Sequence, residues 1–293
     1  MISVIICSIN KILAGQVQKN IAETIGVVWE PVIIDNITNP QSLTYVYNLG
    51  AAKASYDILC FVHEDLIFKT QNWGLKLIDH FKNDPQLGLV GIAGSKYKSN
   101  VPSGWATGIA EIDCCNITHL DRKGNQQQMY FNPVPGSLIQ EVVVLDGVLL
   151  CCPKKVWEEV KFDDILLKGF HLYDLDFSLR VAEKYKVVVS FEIDMIHLTE
   201  GGNFSDKWLE ATLDWHNKMS AKLPAYVKGL PVNKKRWEDK IVRAWLIRLK
   251  HENIRFYNQM QWLMRVKIWA HLSAWPNVLL FMVKKYFKSA VKS

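Results

Sequence analysis

No Gly-x-Gly-x-x-Gly follows the first apolar run of this chain, and no Gly-x-x-x-x-Gly-Lys-Ser/Thr occurs in it. Gly91-Ile92-Ala93-Gly94 is too short to stand in for either. Both motifs cradle phosphates on glycine backbone, so their absence argues against dinucleotide oxidoreductases and P-loop enzymes. No Gly-x-Ser-x-Gly elbow occurs, which argues against hydrolases of that type. No segment reaches the ~18 apolar residues of a membrane-spanning helix. No basic stretch precedes the short apolar run at the N-terminus, so no signal peptide is expected. Glycine (16) and proline (10) are too sparse for a collagenous or low-complexity chain. The six cysteines, Cys7, Cys60, Cys114, Cys115, Cys151 and Cys152, match no zinc spacing and are too few for a disulfide framework. They read as buried reduced thiols, and the chain as cytoplasmic.

The composition that remains is globular. The 293 residues are 49% hydrophobic and 22% charged, enough for a sizeable core. One large domain with an appendage, or two small domains, fits this length. The net charge of +6 is uneven. Residues 234–293 hold 14 Lys+Arg against 3 Asp+Glu, while residues 1–233 hold 21 against 26. The tail also holds five of the 11 tryptophans: Trp237, Trp245, Trp262, Trp269 and Trp275. Such asymmetry points to an anionic partner, a membrane surface or a nucleic acid.

Strands alternate with helices along the first 230 or so residues. Ile2–Cys7, Val27–Asp35, Asp57–Val62 and Leu87–Ile92 are apolar, β-branched runs expected as strands. Between them Val17–Gly26, Ser42–Ser55 (with Ser42 as candidate N-cap) and Trp73–Asn83 carry helical spacing. Residues 95–140 are less regular, fitting two short β pieces and a loop. Val142–Cys152 is expected as a strand broken at Asp146-Gly147, followed by helix Pro153–Val160, helix Tyr173–Tyr185 and strand Lys186–Phe191. His197–Gly202 reads as a polar loop and Asp206–Leu223 as a helix. Apolar strands alternating with helices imply an α/β fold with a mostly parallel sheet covered on both faces. A boundary is expected near residue 231, giving a body of 1–231 and a basic helical appendage of 232–293. In Trp237–Lys250 one face holds Trp237, Ile241, Trp245 and Leu249, and the other Arg236, Lys240, Arg243 and Lys250. Asn277–Val283 with Lys284, Lys285 and Lys288 repeats the pattern.

In sheets of this kind ligands bind beyond the carboxyl ends of the strands. Asp35-Asn36 and His63-Glu64-Asp65 lie there. Acids closing an apolar strand suit a divalent ion at a pyrophosphate, or are simply a solvated loop start. Tyr173-Asp174-Leu175-Asp176 opens a helix, where acids favour the dipole. One carboxylate there can instead project into a cleft as a general base. The two acids cannot share one helix face, so they have different roles. His197 ends a strand and reads either as a metal or phosphate ligand or as a structural hydrogen-bonding residue.

Taken in chain order, these pieces resemble the inverting family 2 glycosyltransferases, which have a GT-A-type, Rossmann-like fold. Ser3-Val4-Ile5-Ile6-Cys7-Ser8-Ile9-Asn10 looks like the opening strand and its polar turn. Val32-Ile33-Ile34-Asp35-Asn36 resembles the strand whose terminal Asp contacts the nucleotide base, and Tyr47-Asn48-Leu49-Gly50 the helix that bears Asn-Leu-Gly. Phe61-Val62-His63-Glu64-Asp65 stands at the metal-binding acidic motif, with His63 where an acid is usual. Leu145-Asp146-Gly147 and Val156–Asp163 resemble the acceptor-side segment. Tyr173–Arg180 resembles the catalytic helix start, with Tyr173 where a Glu is usual, and Ile196-His197-Leu198 the late His. Cys7 stands where the opening strand usually has Pro. The likeness covers residues 2–202.

The resemblance implies a nucleotide-diphosphate sugar as donor, contacted by Asp35, Ser8, Asn48 and Glu64. It implies Mn2+ or Mg2+ held by Asp65, His63 and His197. Asp174 would be the base, and Asp146, Gly147 and Asp176 would lie on the acceptor side. The acceptor would be a glycan or a lipid-linked hydroxyl. The basic tail would either hold the chain at the inner face of a membrane or pack on the body as a helical subdomain. Three other readings stand beside this one. A sugar nucleotidyltransferase would need a Gly-rich basic loop, for which Asn10–Gly15 supplies one Gly and one Lys. A non-catalytic nucleotide-sugar-binding module would bind without transfer. Nucleic-acid binding has the basic tail in its favour, but no recognition motif appears, and no nucleic acid is expected as partner.

Overall fold

A run like Ile2–Ser8, buried at six of its seven positions, has no face to offer water and becomes an inner strand. The computed structural model describes residues 1–121, 123–198, 204–276 and 278. The loop expected at 197–202 and the helix expected at 277–283, with Lys284, Lys285 and Lys288, fall mostly outside the described residues. The first half runs β1 (Ile2–Ser8), α1 (Lys11–Thr24), β2 (Trp29–Asp35), α2 (Leu43–Lys53), β3 (Ile58–Val62), β4 (Leu66–Phe68), α3 (Trp73–Asn83), β5 (Leu87–Gly91), β6 (Ala93–Ser95), β7 (Tyr97–Lys98) and β8 (Asp113–Leu120). The second runs β9 (Gln126–Phe131), β10 (Ile139–Val142), β11 (Val144–Leu145), β12 (Leu149–Pro153), α4 (Lys154–Val160), α5 (Tyr173–Ala182), β13 (Lys186–Ser190), β14 (Met195–His197), α6 (Asp206–Lys218), β15 (Ala225–Tyr226), α7 (Lys234–His251) and α8 (Phe256–Arg265). Ser42 caps α2 through the Tyr45 amide, as its sequence position predicts.

Seven strands form the main sheet, in the order β10-β13-β5-β12-β3-β1-β2. β1 pairs in parallel with β2 and β3, and β13 with β5. β12 runs against both its neighbours, and β10 against β13. Helices cover both faces. Ile2, Val4 and Ile6 point to a cluster with Val17 and Ile21 of α1 and Trp73 and Leu77 of α3. Ile5 points the other way, to Tyr47 of α2, Val156 of α4 and Phe177 of α5. The α/β expectation therefore holds, with two reversals that a mostly parallel sheet does not predict. The reversal at β12 matters for the site. Leu149 pairs with Val62, so the residues just before β12 land beside those just after β3.

A second, six-stranded sheet runs β11-β6-β8-β14-β4, with β9 on β8; β8 and β9 fall in the 95–140 stretch where two short β pieces are expected, and the sheet as a whole was not legible. Its strands are mostly two or three residues long, too short to show a period. All six cysteines are free thiols and five are buried, as expected. Burial pushes the Cys114 thiol up to about 12.

The C-terminal helices pack on the body. Ile241, Trp245 and Leu249 of α7 and Trp262 and Leu263 of α8 share a cluster with Tyr97, Val101, Ile112 and Trp208. Glu238 accepts from Tyr97 Oη at 2.5 Å and Ser99 Oγ at 2.6 Å. Trp262 Nε1 donates to the Pro102 carbonyl at 2.8 Å. Of the two sequence readings of the tail, packing holds for Trp245 and Trp262, which are buried. Trp262→Ala should therefore destabilise the protein by about 3–5 kcal/mol in urea unfolding. A loss below about 1 kcal/mol would contradict the docking of α8 on the body.

Candidate active site

The turn from β3 into β4 carries His63, Glu64 and Asp65. The short strand β14 runs antiparallel to β4 with His197 opposite Leu66, which returns His197 to that turn. The Leu198 amide donates to the Asp65 carbonyl at 2.9 Å and locks the return. His197 Nε2 lies 3.2 Å from Asp65 Oδ2, and His63 Nδ1 lies 4.0 Å from Asp65 Oδ1. One ligand atom from each of the three side chains falls within 4.8 Å of the others.

The tautomer of His63 follows from its neighbours. Tyr173 Oη lies 3.0 Å from the Gly147 carbonyl and 2.8 Å from His63 Nε2. A carbonyl only accepts, so the tyrosine donates to Gly147 and His63 Nε2–H donates to the tyrosine. The Nδ1 lone pair is then left towards Asp65. Burial lowers the His63 imidazole and keeps it neutral. Burial would raise the Asp65 carboxyl, but its hydrogen bond to His197 and the imidazoles outweigh this and hold it below the usual carboxylate range. A neutral His63 beside an ionised Asp65 matches the protonation states a cation requires. The donor set of His63, Asp65 and His197 therefore fits a divalent metal ion.

Asp174 reaches the same edge from the start of α5. The chain enters α5 through Leu172 at a φ of +69°, a left-handed conformation that costs a branched residue about 1–3 kcal/mol. Asp174 Oδ2 accepts from the Gly147 amide at 3.1 Å. Burial, then the charge of Asp146, raises its carboxyl to about 7, overcoming the backbone amides that favour the ion. Asp146 is itself held, by Trp105 Nε1 at 2.5 Å and the Val148 amide at 2.9 Å. Any Cβ on Gly147 would overlap the Tyr173 hydroxyl, so this close approach requires glycine. Trp105 belongs to a strap that Lys98 pins from inside. Lys98, 1% exposed, donates from Nζ to the Ser103 carbonyl and hydroxyl and to the Gly104 carbonyl.

Asp35 and Ser8 lie opposite each other at the ends of β2 and β1. Asp35 is half exposed, 3.6 Å from Lys11 Nζ. A cavity of ≈ 390 Å³ opens between α1 and the β3–β4 turn, with Gln16, Lys19, Asn20, Leu66 and Leu198 in its wall. It flanks the His63–Asp65–His197 group and does not contain it.

Three residues expected to contact substrate have their polar atoms bonded to protein. Asn48, expected at the donor, donates to the Phe162 carbonyl at 2.8 Å and accepts from Trp157 Nε1 and the Phe162 amide, both at 3.0 Å. It clamps the end of α4 onto α2. Glu64, also expected at the donor, accepts from the Ile9 and Asn10 amides at 3.2 and 3.1 Å and holds the β1–α1 turn. Asp176, expected on the acceptor side, is 1% exposed, paired with Arg180 at 2.7 Å and bonded to Trp215 Nε1 at 3.1 Å. Sequence reasoning missed Tyr173 and Trp105 as site residues. Tyr173 was read only as a departure from Glu, and Trp105 lies in the irregular 95–140 stretch.

The sequence profile of the glycosyltransferase-like family matches residues 3–218, which include every residue of this site. No curated protein matches the chain. Among solved structures, a crystal structure of GalNAc-T7 with UDP, GalNAc and Mn2+ is similar at 12% identity and a TM-score of 0.46, over 73% of this chain and 47% of that one. The chain thus spans about half the length of that protein. A crystal structure of A197 from STIV is similar at 12% identity and a TM-score of 0.37, over 68% of this chain and 86% of that one.

Proposed function

The chain belongs to the glycosyltransferase-like family, and from that premise we propose that it moves a sugar from a nucleotide-diphosphate sugar to a hydroxyl of a glycan or lipid-linked acceptor, with inversion. The carrying observation is that Asp174 and the His63–Asp65–His197 group meet at one sheet edge, linked through Tyr173. A general base works best with a proton affinity near the working pH. Asp174, raised to about 7, has it. In this reading Asp174 takes the acceptor's hydroxyl proton as that oxygen bonds to the anomeric carbon. The opposite bond, from carbon to diphosphate oxygen, breaks, and its electron pair leaves with the nucleotide. Asp35 and Ser8 contact the nucleotide, and Asp146 and Gly147 border the acceptor.

His63 through Nδ1, Asp65 and His197 would hold the ion. Two imidazoles suit Mn2+ better than Mg2+, which favours oxygen ligands and retains water. When bound, the ion supplies Lewis-acid neutralisation of the leaving diphosphate. Tyr173 fixes the His63 tautomer and ring orientation that this requires.

The pH profile tests the base. Transfer (kcat/KM) should rise with pH through about 7 as Asp174 loses its proton. Asp146→Asn removes a negative neighbour that favours the protonated form, so the rising limb should move to lower pH. A limb that stays in place in that variant would put the base elsewhere. Release of pyrophosphate from a nucleoside triphosphate and a sugar phosphate would instead support a nucleotidyltransferase.

A further inference from the structure

We propose that the outer face of α8 and the turns that follow it form a docking surface for an anionic membrane. The inner face of α8 is fixed. Asn258, Gln259, Trp262 and Leu263 are buried, and Asn258 donates to Asp206 and Glu210 of α6. Arg265 is tied to Asn217 and Asn100. The helix therefore cannot rotate to hide what it shows outside.

What it shows is apolar and aromatic. Tyr257 is 68% exposed and Met264 65%, and seven residues apart they lie two turns along one face. Phe256 opens the helix 48% exposed, and Trp269 and Trp275 in the turns beyond are 58% and 43% exposed. Single exposed apolar residues are ordinary on a protein surface. Five within twenty residues, of which three are Tyr or Trp, have the composition of a membrane interface.

Charge completes the match. From Asn253 to Ser293 there are seven Lys+Arg and no Asp or Glu; Arg255 pairs with Asp206 and Glu210 of α6, and Lys284, Lys285, Lys288 and Lys292 follow the described residues in sequence. Lys267, within this surface, is exposed. A basic segment with outward Trp, Tyr, Phe and Met suits the cytoplasmic leaflet, where anionic headgroups meet acyl chains. Nucleic acid would satisfy the lysines but would leave Met264 and Phe256 uncovered. The surface differs from the one that sequence periodicity suggests, because the apolar stripe of α7 faces the protein core.

Vesicle flotation of the full chain tests this without reference to glycosyl transfer. Recovery with phosphatidylcholine vesicles containing phosphatidylglycerol should exceed recovery with phosphatidylcholine alone by about tenfold or more, and should fall in high salt. Tyr257→Ser with Met264→Ser, or Trp269→Ser with Trp275→Ser, should each lower recovery by about tenfold at unchanged Tm. Tyr130→Ser with Phe131→Ser, exposed on β9, should leave recovery unchanged. No recovery with anionic vesicles, recovery that survives the α8 and turn substitutions, or binding to an RNA oligonucleotide in place of vesicles would overturn the proposal.

Discussion

Asp174→Asn is expected to lower the rate of transfer by about 10²–10⁴-fold, or roughly 3–5 kcal/mol of barrier, while donor affinity stays within about twofold. The amide cannot take a proton, but it keeps the size and one acceptor oxygen of the carboxylate. The Gly147 amide therefore keeps its partner, and the turn between β11 and β12 keeps its shape. Donor binding is carried by groups on other elements, so it should survive. That separation of binding from chemistry identifies a base, whereas a purely structural Asp174 would lose both. Single-turnover rates and donor titrations on the same preparation make the comparison. Normal transfer by the variant would remove Asp174 from the mechanism.

Asp65→Ala should have the second large effect, on binding. It removes the one carboxylate of the group and leaves two imidazoles with nothing to balance the charge of an ion. Affinity for a nucleotide-diphosphate sugar in Mn2+ should fall by about tenfold or more, and adding more Mn2+ should recover part of it. Tyr173→Phe should act in the same direction without touching the ligands. It strips His63 Nε2 and the Gly147 carbonyl of their shared partner, and outer contacts of this kind are worth about 10–100-fold in metal affinity. Nucleotide affinity that ignores both the metal and Asp65 would contradict the site.

The parts of the site that sequence reasoning reached are those set by local pattern. His63 and Asp65 follow an apolar strand, Asp174 opens a helix, and His197 closes a strand. Each position is readable from a few neighbours, because strand ends and helix starts are local events. The protein partners of Asn48, Glu64 and Asp176 were not legible, for the opposite reason. Asn48 meets Phe162 across 114 residues of chain, and Glu64 meets Ile9 across 55. Whether a polar side chain faces a ligand or another part of the protein depends on such distant partners, which periodicity does not carry. Asp176 likewise meets Trp215 of α6, 39 residues on.

The fold was legible in the same proportion. The long apolar runs became the main sheet, and the helices between them cover it. The reversed β12 was not legible, and it is what carries Asp146 and Gly147 to the end of β3. Of the second sheet only β8 and β9 were foreshadowed, because its other strands, of two or three residues, have no period to read, yet β14 among them delivers His197 to Asp65. The tryptophans of the tail show the limit most simply. Trp262 and Trp269 look alike in sequence, and only packing separates the buried one from the exposed one.

The most direct test of the account is thermal stabilisation by a panel of nucleotide-diphosphate sugars, with Mn2+ or Mg2+, on the natural chain and on Asp65→Ala. A ligand that binds the folded protein raises Tm by mass action. At least one nucleotide sugar should raise Tm in Mn2+, less so in Mg2+, and Asp65→Ala should abolish the rise. No shift with any nucleotide sugar, or a shift that is the same without metal and in Asp65→Ala, would contradict a nucleotide-sugar site at His63, Asp65 and His197.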